Sequence, residues 1–115
     1  MTVLIVDDNP SVCRLIHGIV APLVERVYEC AGGEEAVLLY DAHRPDVVLM
    51  DLAMRGMDGI TATRRIRQVN PAARIVIVTS HDQPELREAA TDAGASGYVL
   101  KTNLLELRGW LGSSR

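Results

Sequence analysis

The 115-residue chain reads as one doubly wound α/β domain, a five-stranded parallel sheet with five helices on its two faces. Three observations predict this. Four short runs, Val3–Val6, Val47–Met50, Ile75–Val78 and Gly97–Leu100, are continuously apolar, as strands buried on both faces must be. The segments between them carry apolar residues three and four apart, which is the helical period. Strand and helix then alternate five times, an order that implies a parallel sheet with right-handed crossovers.

Each element follows in turn. Behind the first strand, Pro10 follows Asn9 at a helix start, and Val12, Leu15, Ile16, Ile19, Val20 and Leu23 form one apolar stripe. A weaker, more mixed strand lies around Val27–Ala31. The second helix runs from about Glu34 to His43, with Ala36, Val37 and Tyr40 at helical spacing, and Pro45 stops it. After the third strand, a helix follows Gly59, with Ile60, Thr63, Ile66 and Val69 inward and Arg64, Arg65 and Arg67 outward. The fourth strand leads to a helix from Pro84 to Ala93, closed by Gly94 as a cap. The last helix starts near Leu104 and sets Leu104, Leu107 and Leu111 on one side. The domain spans residues 1–111, and Gly112 to Arg115 read as a flexible tail or the start of a linker.

Composition narrows the class. The chain is 48% hydrophobic and 23% charged, values typical of a globular protein. With three Tyr, one Trp and no Phe, aliphatic packing must dominate the core. A net charge of −3 argues against a nucleic-acid surface on this chain. No apolar run approaches the ~18 residues of a membrane span. The N-terminus lacks a cationic leader. Cys13 and Cys30 are far apart and without Cys-x-x-Cys spacing, so they read as reduced, packed thiols. A cytoplasmic location is the default. Of 12 basic residues, 11 are arginine, which leaves Lys101 as the one lysine.

In such sheets the chemistry sits just past the carboxyl ends of the strands. Asp7 and Asp8 follow the first run, Asp51 the third, Thr79 and Ser80 the fourth, and Lys101 the last. Three carboxylates at ~4 Å repel by on the order of 4 kcal/mol per pair at an effective dielectric of 20. A hard cation such as Mg²⁺ offsets that repulsion, and Lys101 adds a compact charge suited to a phosphoryl oxygen. A carboxylate in such a cluster can attack phosphorus, while the cations stabilise charge on the transferring group. Each residue also has a plainer role. Asp8 could cap the first helix, Asp51 a loop, and Thr79 or Ser80 the next helix, and Lys101 could be a surface lysine. Together those roles require four independent accidents at one sheet edge.

Val3-Leu-Ile-Val-Asp7-Asp8-Asn-Pro, Asp46-Val-Val-Leu-Met-Asp51, Met57-Asp58-Gly59, Ile75-Val-Ile-Val-Thr79-Ser80 and Gly97-Tyr98-Val-Leu-Lys101 together resemble the bacterial response-regulator receiver domain, in order and over nearly the whole chain. The resemblance implies a flavodoxin-like fold and a phosphoacceptor role in two-component signalling. Asp51 would take a phosphoryl group from a phosphohistidine of a sensor histidine kinase or a histidine phosphotransfer protein. Asp7, Asp8, Asp51 and the carbonyl of Ala53 would hold Mg²⁺, Asp7 through water. Thr79 and Lys101 would bind phosphoryl oxygens, and Tyr98 would be an aromatic switch that turns inward as Thr79 moves. The switched surface would be the fourth helix, fifth strand and fifth helix. Ala53 and His81 would tune phosphoryl lifetime. The implied domain is a signalling module rather than a turnover enzyme. It would bind no nucleic acid and no membrane through this chain, and a homodimer would form only on phosphorylation.

The chain departs from the family pattern where Arg55 and Thr102 replace frequent prolines. A cis bond before Thr102 would cost roughly 2.5–4 kcal/mol. The closing helix is short, and Trp110 near its end reads as packing. The Met-Asp-Gly turn and the Arg-rich run after it resemble receivers of helix-turn-helix regulators, and no output module lies within the 115 residues. Arg55, Thr102 and the short helix motivate an alternative, a receiver-like interaction module that no longer uses phosphate. A phosphatase or nucleotide enzyme lacks its motifs here: there is no Asp-x-Asp after the first strand, no Walker sequence and no Gly-x-Gly-x-x-Gly. Gly32-Gly33 is too short to cradle a phosphate.

Overall fold

The apolar runs form one five-stranded parallel sheet, seen in a computed structural model that describes residues 1–111. The expected tail, residues 112–115, lies outside the described residues. The strands are β1 (Thr2–Val6), β2 (Arg26–Cys30), β3 (Val47–Met50), β4 (Ile75–Thr79) and β5 (Gly97–Leu100), and they pair in the order β2-β1-β3-β4-β5. This is the flavodoxin-like order, with its switch point between β1 and β3. The three central strands are almost wholly buried, whereas edge strand β2 is half exposed. Having a neighbour on one side only, β2 reads as mixed in sequence, and it starts one residue earlier than its apolar pattern suggests.

Alternate residues of the strands face two separate cores. On one face Leu4, Val6, Val48, Met50, Ile75 and Ile77 meet Ala36, Tyr40, Ala62, Ile66 and Ala90. These come from α2 (Gly33–His43), α3 (Gly59–Val69) and α4 (Pro84–Asp92). On the other face Val3, Ile5, Val47, Leu49, Val76, Val78 and Val99 meet α1 (Pro10–Val20) and α5 (Leu107–Leu111). Both faces are therefore covered, as continuous apolar strands require.

The helix ends follow local chemistry. Asn9 Oδ1 caps α1 by accepting from the N–H groups of Ser11 and Val12 at 2.9 and 3.3 Å, with Pro10 at the first position. Gly94 takes the left-handed conformation (φ +105°) that closes α4, and its N–H and that of Ala95 bond back to Thr91 and Ala90.

Four sequence expectations need correction. Leu15 is 61% exposed, because the inward face of α1 is set by Cys13, Ile16 and Val20 and a one-residue offset rotates Leu15 by ~100°. Leu23 is not helical in that sense either; it ends a 3-10 turn (Ala21–Leu23) and is exposed, since Pro22 has no N–H to continue α1. On α3, Val69 stands at the solvent margin, whereas Arg67 is half-buried and donates to the carbonyl of Ala73 at 3.1 Å. The last helix does not run from Leu104: Lys101–Glu106 is 3-10, broken by non-helical Asn103, and α5 covers Leu107–Leu111 among the described residues. Asn side chains compete for helical hydrogen bonds, which disfavours a continuous helix there.

No described peptide bond is cis, so Lys101–Thr102 is trans. Trp110 packs its ring over Gly97, in line with its reading as a packing residue. No helix among the described residues is long and apolar enough to cross a membrane.

Candidate functional site

The parallel register brings the strand ends to one edge. Val6 pairs with Met50, Met50 with Ile77, and Thr79 with Leu100. Past those ends, the Asp7 N–H donates to the Cys30 carbonyl at 3.1 Å and the Asp51 N–H to the Val6 carbonyl at 2.9 Å. The backbone of both acids is thus pinned to the sheet. Asp7, Asp8, Asp51, Ala53, Thr79, His81 and Lys101 all line one cleft of about 210 Å³.

Asp7, Asp51 and Thr79 are buried, at 3%, 4% and 0% exposure, while Asp8 is half-buried at the rim. One carboxylate oxygen from each of the three acids lies within 4.8 Å of the other two. Lys101 reaches across the cleft, its Nζ 2.9 Å from Asp7 Oδ2 and 3.3 Å from Asp51 Oδ1. Burial alone would lower the Lys101 pKa, but contact with Asp7 and the charges of Asp51 and Asp7 outweigh it and raise it. Asp51 moves the other way from an ordinary ion-paired acid. Burial first, and then the Asp7 charge, raise its pKa above the usual carboxylate range, despite opposing contributions from Lys101 and the Ala53 N–H. One ammonium does not neutralise three carboxylates.

The donor set suits a hard divalent cation. Asp7 Oδ1 accepts the Asn9 N–H at 2.9 Å. Its buried Oδ2 meets the ammonium as an ion pair but receives no well-directed hydrogen bond. An underserved carboxylate oxygen among two other carboxylates matches the all-oxygen, partly hydrated coordination that Mg²⁺ prefers.

The plainer helix-capping roles of Asp8 and Thr79 do not hold. Asn9, not Asp8, caps α1, and Gln83, at the N-cap of α4, makes no side-chain capping bond. Thr79 Oγ1 instead accepts the His81 N–H at 3.2 Å. Tyr98 stands outside the cleft, half-buried, and its hydroxyl donates to the His81 carbonyl at 2.7 Å. His81 and Ala53 are exposed at the mouth. Both cysteines are free and buried. Burial raises both thiols, Cys30 to about 11, and Cys13 Sγ donates to the Asp7 carbonyl at 3.2 Å.

Three contributors were not found from sequence. A Cβ on Gly59 would strike the Asp51 carbonyl, so only glycine lets the loop fold back behind the acid; the Asp-Gly pair at its turn was the available signal. The Arg55 N–H lies 3.4 Å from Asp8 Oδ2 and its Nε 3.9 Å away, with a side chain 93% exposed, so that charge is screened by solvent. Arg87 lies over the Tyr98 ring, 4.4 Å from its centre. The last two depend on tertiary placement and left no local pattern.

A family model described as the response regulator receiver domain matches residues 3–108. The chain is 39% identical over 99 residues to the chemotaxis protein CheY of Halobacterium salinarum, covering 86% of this chain and 82% of that one. It is similar to the crystal structure of a LuxR-family two-component response regulator from Aurantimonas, with TM-score 0.87 and 40% identity over 94% of this chain and 79% of that one. It is also similar to the receiver domain of the histidine kinase CKI1 from Arabidopsis thaliana, complexed with Mg²⁺ and BeF₃⁻. There the TM-score is 0.86 and the identity 29%, covering 94% of this chain and 85% of that one.

Proposed function

Because the chain belongs to the response regulator receiver family, a signalling domain of two-component systems, we propose that Asp51 is its phosphoacceptor. The observation that carries this assignment is Lys101 Nζ bridging Asp7 and Asp51, 2.9 and 3.3 Å away, at the carboxyl edge of the sheet. An Asp51 carboxylate oxygen attacks the phosphorus of a phosphohistidine. The O–P bond forms as the N–P bond breaks, and the imidazole leaves with the electron pair of that bond. Lys101 turns its ammonium toward the phosphoryl oxygens, and the Thr79 hydroxyl, freed from the His81 N–H, donates a hydrogen bond to another.

Asp7, Asp8, Asp51 and the Ala53 carbonyl would hold Mg²⁺. When bound, the ion supplies the positive charge that three carboxylates and a phosphoryl group require. Mg²⁺ in the related CKI1 receiver supports this. Ala53 and His81, exposed at the mouth, control the approach of water and so the phosphoryl lifetime. Tyr98 turns inward as Thr79 shifts, which alters the surface formed by α4, β5 and α5.

The partners of this reading are a sensor histidine kinase or a histidine phosphotransfer protein, together with a second copy of the phosphorylated chain, in the cytoplasm where that kinase module works. The domain accepts and loses its own phosphoryl group and turns over no separate substrate. Similarity to a LuxR-family regulator fits a receiver of the helix-turn-helix class. The phosphate-independent alternative has no support in the site. Arg55 stays at the rim, and Lys101 reaches both acids across a trans Lys101–Thr102 bond.

Incubation with acetyl phosphate and Mg²⁺ tests the proposal by intact mass. The native chain gains one phosphoryl group and Asp51→Asn gains none. An equal adduct on Asp51→Asn, or none on the native chain, rejects it.

A further inference from the structure

Tyr98 is held outward by groups that its own strand does not supply. Arg87, on α4, lays its guanidinium 4.4 Å from the centre of the ring. The Arg87 Nε donates a 2.6 Å hydrogen bond to Asp82 Oδ1 in the loop between β4 and α4. From that same loop the His81 carbonyl accepts the Tyr98 hydroxyl at 2.7 Å. The ring is therefore covered on one face by a cation and tied at its tip, and both anchors belong to residues 81–87. The loop is in turn connected to the site, because the His81 N–H is the group Thr79 Oγ1 accepts.

We infer that Arg87, oriented by Asp82, is a positioning residue that latches Tyr98 in its outward place and so sets how readily the domain switches. The inference rests on the reading of Asp51 as phosphoacceptor. A planar guanidinium suits this task better than an ammonium, since it stacks on an aromatic face while its edge still bonds a carboxylate. Asp82 keeps that fork in one orientation; without it, the exposed arginine samples other rotamers and the stack is lost part of the time. A ring that turns inward surrenders both the stack and the hydroxyl bond, so these contacts favour the unphosphorylated arrangement by their full difference between states. One half-exposed contact of this kind moves such an equilibrium by about threefold to tenfold.

The test uses the unphosphorylated chain with ¹³C-labelled tyrosine rings and a soluble gadolinium chelate. Tyr98 is identified by its loss in Tyr98→Phe, with Tyr28 and Tyr40 as internal references. If Arg87 only shields the ring, Arg87→Ala leaves Tyr98 more exposed and its broadening rises. If Arg87 is a latch, the ring moves inward and broadening falls. The latch also requires phosphorylation by acetyl phosphate to speed up about threefold to tenfold in Arg87→Ala, less in Asp82→Asn, and to return toward the native rate in Arg87→Lys. Broadening that rises or stays unchanged in Arg87→Ala overturns the inference, as does an unchanged phosphorylation rate. A native chain that takes no phosphoryl group rejects the role of Asp51 instead, because the broadening measurement does not depend on phosphate.

Discussion

Thr79 and Tyr98 are coupled through a single backbone residue. The Thr79 hydroxyl accepts the His81 N–H at 3.2 Å, and the His81 carbonyl accepts the Tyr98 hydroxyl at 2.7 Å. Any movement that draws the Thr79 oxygen toward the cleft breaks the first bond and loosens the residue whose carbonyl holds the second. Thr79→Val keeps the side-chain shape in a fully buried position but removes both the acceptor for His81 and the hydroxyl proposed to bind a phosphoryl oxygen. Asp51 of this variant should still be phosphorylated, while the Tyr98 ring resonances no longer respond to phosphorylation. A Tyr98 response equal to that of the native chain would show that the coupling runs elsewhere.

Lys101 is the cation between two buried carboxylates, so its removal leaves both without their ion-pair partner. Lys101→Met should lose about 3 kcal/mol in urea unfolding, and millimolar Mg²⁺ should restore part of the loss by binding the folded state. Lys101→Arg should fold, because it keeps the charge, but its rigid fork cannot follow a phosphoryl oxygen as an ammonium does. The phosphorylated arginine variant should therefore fail to switch. A Lys101→Met protein as stable as the native one without metal would refute the pairing argument.

The raised Asp51 pKa makes a signed prediction about stability. The folded chain holds this proton more tightly than the unfolded chain, so Asp51 costs stability as pH rises from the unfolded carboxylate range through its higher folded pKa. The cost is fully present above that pKa and absent below about pH 3. In a chelator, Asp51→Asn should have a higher urea midpoint than the native chain at pH 7, and the gap should close toward about pH 3. A native chain more stable than Asp51→Asn at pH 7 would contradict the assigned direction.

Gly59 supports Asp51 from behind. Its N–H donates to the Leu52 carbonyl at 3.0 Å, and an added Cβ would collide with the Asp51 carbonyl. Gly59→Ala should destabilise the fold by about 1–3 kcal/mol, because backbone and not a pliable side chain must yield. It should also slow phosphorylation by displacing Asp51. Thermal unfolding checks the first effect and intact mass the second.

Much of this was legible in the sequence because buried parallel strands are short apolar runs with abrupt polar ends. The residue after each run is the residue at the sheet edge, so Asp7, Asp51 and Lys101 could be placed by counting. What remained hidden depended on rotation or tertiary contact. Periodicity identifies a helix, but with Leu15 and Ile16 both apolar it does not decide which one faces the sheet. Val69 and Arg67 raise the same ambiguity at the end of α3. Asn103 breaks the last helix through backbone angles that no spacing rule reports. The stack of Arg87 on Tyr98 joins side chains eleven positions apart on different elements, and nothing in either segment announces it.

The central claim is that the group at position 51 becomes an acyl phosphate. Borohydride reduces an acyl phosphate to the alcohol, so aspartyl phosphate at that position would become homoserine, which peptide mass mapping can locate. After treatment with acetyl phosphate and Mg²⁺, homoserine is expected at residue 51 and nowhere else, and it should be absent when a chelator replaces Mg²⁺. Homoserine at Asp7 or Asp8, or none at all, would contradict the account.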